Sequence, residues 1–250
     1  MSKTKKYFDW QVILGISLVL LSALIYFFHF LIFRDAHHIF IYLIGDIAFV
    51  PVEVLLVTLI IHRLLSKREK AVMLKKLNML IGAFYSDAGT DLLNFISSCD
   101  RNIGKIDKEL IVSKDWAEEK FVEVSICLEK YDFKVDIKKI DLKELRDFLN
   151  GKRNYFMRLL ENPNLLEHEK FTDLLWAVFH LTEELLHRKN FRNLPDTDYE
   201  HLEGDIRRVY IILVRQWLDY MKHLKDNYPY LFSLAMRTNP FNRNASAIVK

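Results

Sequence analysis

Residues 10–33 read WQVILGISLVLLSALIYFFHFLIF, 24 positions without a formal charge. A hydrocarbon core about 30 Å thick requires roughly 20 consecutive apolar residues in helical conformation. The run is therefore expected to be a transmembrane helix. A secretory leader is the rival reading, because MSKTKK supplies a basic start. The apolar run exceeds the roughly 7 to 15 residues of such a leader, and no small-x-small cleavage pattern follows it.

A second apolar run covers residues 39–65, and only RDAHH at 34–38 separates it from the first. Five residues can turn a chain but cannot carry it back across a bilayer, so a hairpin is expected. Lys3, Lys5 and Lys6 precede the first run, and Arg63, Lys67, Arg68, Lys70, Lys75 and Lys76 follow or close the second. Basic residues near span ends remain on the cytoplasmic side, which places both termini there. The expected address is the inner (plasma) membrane of a prokaryote.

Charge agrees with this division. Of a formal net charge of +3, residues 1–9 carry +2, residues 63–76 carry +5 and the stretch between them −2, leaving −2 for residues 77–250. The basic pI thus belongs to a collar suited to anionic lipid rather than to a nucleic-acid surface. Cys99 and Cys127 both fall in the expected cytoplasmic part, belong to no CxxC pair, and are expected as free thiols.

Beyond residue 65 the pattern is helical throughout. Met73, Leu77, Leu80 and Phe84 recur at helical spacing in a basic connector over 66–100, either continuing the span or lying on the inner leaflet, with a break at Gly89 and Thr90 as an N-cap. In the bundle expected over 101–237, Ser113 is read as the cap of WAEEKFVEVSICLEK. Asp141 with Glu144 forms a capping box. Leu202, Ile206, Val209, Leu213, Trp217, Met221 and Leu224 form the longest stripe, and Pro229 opens a last short helix. Stripes joined by short polar connections predict an antiparallel bundle. DFKVDIK alternates like a strand but is too isolated to be one, and residues 238–250 read as a flexible tail. The predicted fold is all-α: a transmembrane hairpin followed by a cytoplasmic helical bundle.

The second apolar run is unusual in carrying Asp46, Pro51 and Glu53. Seven residues separate the two acids, so they share a helix face about 10 Å apart along the axis. An antiparallel partner counted back from the turn puts Tyr26 opposite Asp46, with His29 within a turn of it. Glu53 then lies near mid-membrane, where an ionised group costs about 2.5–3.5 kcal/mol on insertion scales. Pro51 cannot donate to the carbonyl of Ile47, which leaves an oxygen near the carboxylate face. These five residues form an expected ion path or intramembrane polar site between several copies of the chain; the plainer reading is a buried polar contact that holds the hairpin or oligomer together. His37 and His38 are read as interfacial residues of the external turn.

Chemistry in the bundle is weakly signalled. Glu184 and His187 make an ExxH, with His180 four residues earlier, but carboxylate-bridged metal centres need a second such pair and further acids. His201 and Asp205, or Asp219 and His223, would have to complete the set. His180, Glu184 and His187 also fall opposite the apolar stripe of their helix, which favours a solvated face. No GxGxxG, phosphate loop, GxSxG or basic recognition helix occurs. No cofactor and no nucleic-acid partner is expected. The expected function is a non-enzymatic, homo-oligomeric membrane protein with a proton or cation pore gated or assembled by its bundles. The alternative is a membrane-tethered scaffold or sensor that recruits a cytoplasmic protein.

Overall fold

The computed structural model describes residues 3–166 and 168–248, and these are helical with no strand among them. The chain divides into two compact units, Met1–Glu69 and Lys70–Lys250. Residues 1 and 2 of the expected basic terminus and 249 and 250 of the expected tail lie outside the described residues, as do the side chains of Lys3, Lys5 and Lys6.

The first unit holds α1 (Lys3–Phe33) and the beginning of α2 (Ala36–Phe84). Arg34 turns the chain with a left-handed φ of 52°, and its N–H donates to the Phe30 carbonyl at 2.8 Å. Asp35 then caps α2, its Oδ1 accepting from the His38 N–H at 3.1 Å. The turn is thus two residues, not 34–38, because Asp35 starts the next helix at once. His37 and His38 lie in the first turn of α2. That helix runs through Pro51 and past the expected boundary at residue 65.

Between residues 10 and 65 no described side chain is buried. Val19 is 69% exposed and Ile32 72%. An apolar surface this continuous is not stable against water. Val12–Phe33 and a window of the following helix are long and apolar enough to cross a membrane.

The second unit has an ordinary apolar core. The end of α2 contributes Leu77, Ile81 and Phe84 to it, so this apolar face is used inside the unit rather than free for a leaflet. At Tyr85–Gly89 the helix widens into a single π-turn before α3 (Thr90–Ser97). Gly89 permits this. A Cβ there would stand 2.7 Å from Phe84 Cε1 and 2.7 Å from Tyr85 Cδ1. Thr90 is not the cap; its hydroxyl donates to the Tyr85 carbonyl at 2.8 Å.

Two short 3₁₀ turns lead to α4 (Glu118–Lys130), which begins later than expected because Ser113 Oγ accepts from the Asp115 N–H instead. The DFKVDIK segment forms one antiparallel bridge, Val135 with Asp100, and then a 3₁₀ turn. Asp141 caps α5 (Leu142–Leu160) by accepting from the N–H groups of Lys143 and Glu144, each at 3.0 Å. The short α6 (Pro163–Leu166) precedes α7 (Glu169–His187), α8 (Asp196–Asn227) and α9 (Pro229–Arg237).

The long α8 is the axis of the unit, with its whole predicted stripe buried and α3, α4, α7 and α9 packed around it; α5 packs on α7. Phe84 meets Phe171 edge-on at 5.3 Å, and Tyr85 Oη donates to the Leu213 carbonyl at 2.8 Å. The expected flexible tail is instead anchored at its start. Phe241 is buried against Trp217, with ring centroids 5.0 Å apart, and the Asn239 amide donates to the Leu110 carbonyl.

Candidate functional site

In the first unit the polar residues named from sequence separate into three places. Tyr26 Oη donates to Asp46 Oδ2 at 3.5 Å, a long contact between α1 and α2. His29 lies nearer the turn, stacked on His38 with centroids 6.1 Å apart and beside Phe33 at 4.7 Å, and its Nδ1 has no hydrogen-bond partner. Glu53 and Pro51 are exposed, and Glu53 has neither a hydrogen bond nor an ion pair among the described residues. The collar residues Arg63, Lys67, Arg68, Lys70, Lys75 and Lys76 are all exposed.

The second unit holds one cluster of titratable groups between α7 and α8. Val178, Leu181 and Leu185 of α7 and Leu202, Ile206 and Val209 of α8 are buried. His180, Glu184, His201 and Asp205 flank those stripes at the rim of the interface. Each helix supplies a histidine and, one turn later, a carboxylate. His180 Nε2 lies 3.4 Å from Asp205 Oδ2 and 3.9 Å from Glu184 Oε1; His201 Nε2 lies 3.4 Å from Asp205 Oδ2 and 3.5 Å from Glu184 Oε2. The Asp205 side chain is 4% exposed, against 47% for His180 and 51% for His201. His180, His201 and Asp205 line an open cleft with Gly204, Arg208 and Ile211.

Two arginines hold the carboxylates of this cluster. Arg208 Nη1 lies 3.3 Å from Asp205 Oδ1, and Arg188 Nη1 donates to Glu184 Oε2 at 2.8 Å. Arg188 also forks onto Asp198 in the first turn of α8. Hydrogen bonds from Arg188 hold the Glu184 and Asp198 carboxyls below the usual carboxylate range, and Arg188 is itself raised, chiefly by Asp198.

Among the described residues, His180, Glu184 and His201 have ligand atoms within 4.8 Å of one another and could hold a metal ion. His187 does not join them. It is exposed, and its Nδ1 sits 2.8 Å from the Glu183 carbonyl. The ExxH spacing that drew attention in the sequence is thus the wrong pair, because on an α-helix the HxxxE spacing lies more nearly along one face. Asp219 and His223 are elsewhere: Asp219 lines a cleft with Lys170 and Arg215, and His223 contacts Asn78 and Asn227. The pairings of Arg188 and Arg208 are not legible in the sequence, since nothing local marks which carboxylate an arginine will hold.

The comparisons follow the same division. Residues 3–65 match a family described as MJ1433, N-terminal helical domain, and residues 73–237 match one described as Uncharacterized protein MJ1433, C-terminal helical domain. The junction between the two matches brackets the boundary between the structural units at Glu69 and Lys70. The chain is 48% identical over 241 residues to Uncharacterized protein MJ1433 of Methanocaldococcus jannaschii, covering 96% of each chain. No solved structure matches it. By both domain matches and by this relative, the chain belongs to the MJ1433 family.

Proposed function

We propose that the chain is an integral membrane protein that self-associates in the bilayer. In this reading α1 and the apolar part of α2 cross the membrane as a hairpin with both ends cytoplasmic, and the domain of residues 73–237 lies on that side. The observation that carries it is Glu53, an ionisable side chain without a hydrogen bond or ion pair among the described residues, in a unit where no described apolar side chain between residues 10 and 65 is buried. Lipid can cover the apolar surface but cannot receive the carboxylate, so a second copy of the face bearing Glu53 is the natural partner. Two helices enclose too little space to shelter it themselves.

Membrane insertion is tested by washing membranes from expressing cells with alkaline carbonate. Retention of the full chain in the pellet is expected; release into the supernatant would overturn the reading.

A second reading, an ion path between copies, is favoured by Glu53 sharing a helix with Pro51, which leaves the Ile47 carbonyl without its helical donor. Flux in proteoliposomes that falls in Glu53→Gln and in Asp46→Asn supports the path. Equal flux in all three proteins, or none, rules it out.

A further inference from the structure

We propose that His180, Glu184, His201 and Asp205 form a binding site for one divalent first-row transition ion, with zinc as its natural occupant, at the rim of the α7–α8 interface. A charge-assisted hydrogen bond between imidazolium and carboxylate closes to about 2.7–2.9 Å. Ligands of a tetrahedral zinc ion, at about 2.0–2.1 Å from the metal, stand about 3.3–3.4 Å from one another. The observed separations are 3.4, 3.4, 3.5 and 3.9 Å. Three of the four suit ligands converging on a common centre and are longer than charge-assisted hydrogen bonds.

Asp205 supplies an independent observation. Its side chain is 4% exposed, yet Oδ2 makes no hydrogen bond among the described residues, although two imidazole nitrogens lie 3.4 Å from it. A carboxylate oxygen buried and left unsatisfied is costly. A cation held between the two imidazole nitrogens and this oxygen would satisfy it. The opposite oxygen of Asp205 is engaged by Arg208, whereas Arg188 holds Glu184 through Oε2, the oxygen that also faces His201, and leaves Oε1 on the His180 side.

The donor set selects the ion. Calcium and magnesium prefer oxygen ligands alone, whereas two imidazoles with two carboxylates suit zinc and its neighbours. The half-exposed histidines at the cleft mouth leave a route for exchange with solvent. Because the ligands come in pairs from α7 and α8, an ion would also clamp the two helices together.

The test uses tag-free full chain in detergent, stripped with chelator and then titrated with Zn²⁺ by calorimetry, with Co²⁺ as a spectroscopic substitute. One Zn²⁺ per chain, visible Co²⁺ bands of a four-coordinate site and a Zn²⁺-dependent rise in the thermal midpoint are expected. His180→Gln and His201→Gln should each weaken binding at least about 10-fold, the effect expected of even an outer-shell change. Both variants keep the buried Asp205, and circular dichroism confirms their fold. His187→Gln should bind as the parent does. Stoichiometry well below one, or unchanged affinity in both folded histidine variants, would overturn the assignment.

Discussion

The guanidinium of Arg188 grips the carboxylate of Asp198 with two nitrogens, Nε at 2.8 Å from Oδ2 and Nη2 at 2.6 Å from Oδ1. This fork fastens the residue just past α7 to the first turn of α8, and the remaining nitrogen of Arg188 reaches back to Glu184 at 2.8 Å. One side chain thereby fixes the approach of the helices that carry the His/carboxylate cluster. It also closes a connection of only a few residues, where a planar fork sets direction better than an ammonium would.

Arg188→Gln should destabilise the helical domain by about 1–2 kcal/mol at neutral pH, the range for charged hydrogen bonds discounted for partial exposure. Glu184 and Asp198 have folded pKa values below their unfolded ones. Their contribution is therefore complete above the unfolded values, near pH 4, and is lost as pH falls through the folded ones. Denaturant midpoints followed by tryptophan fluorescence should fall with acid more steeply in the parent than in the variant. Parallel acid limbs would show that Arg188 does not hold these carboxylates.

Gly89→Ala should cost about 1–3 kcal/mol, in the range of overpacked sites, because its Cβ would stand 2.7 Å from ring atoms of two buried aromatics. Gly151→Ala, on α5 with open space around the added methyl, is the control and should be neutral or slightly stabilising. A Gly89→Ala midpoint equal to the parent's would mean that the π-turn readily gives way.

Phe241→Ala should loosen the segment after α9 and cost about 2–4 kcal/mol, toward the lower part of the range for a buried phenylalanine. Limited proteolysis reads this directly. Cleavage after Arg237 and Arg243 should accelerate in the variant, and equal rates would show that the Trp217 contact does not anchor the segment.

Topology can be read with the native thiols, of which Cys127 is exposed and Cys99 buried. With both termini cytoplasmic, a membrane-impermeant maleimide should label Cys127 only after cells are permeabilised. Labelling of intact cells would place the domain outside.

Much of this architecture was legible because it rests on local signals. The spacing of Leu202 through Leu224, the Asp141 cap and the punctuation at Pro163 and Pro229 each act within a turn or two of helix. Three features were not. Asp35 was read as part of a loop because a two-residue turn between apolar helices has no composition to mark it. The π-turn at Tyr85 depends on the space Gly89 leaves for two aromatic rings, which only packing reveals. The cluster was half visible: HxxxE in one helix and HxxxD in the next are plain in the sequence, but their meeting depends on the register of α7 on α8. His180 and Glu184 fall opposite the core stripe of α7, but α8 lies against the flank of that helix and brings His201 and Asp205 to them.

Self-association through Glu53 is tested most directly by native mass spectrometry of the full chain released from detergent micelles, comparing the parent with Glu53→Leu. The parent is expected as a discrete oligomer and the variant as a monomer, since leucine removes the group that lipid cannot accommodate. A monomeric parent, or an oligomer that survives Glu53→Leu unchanged, would contradict the proposal.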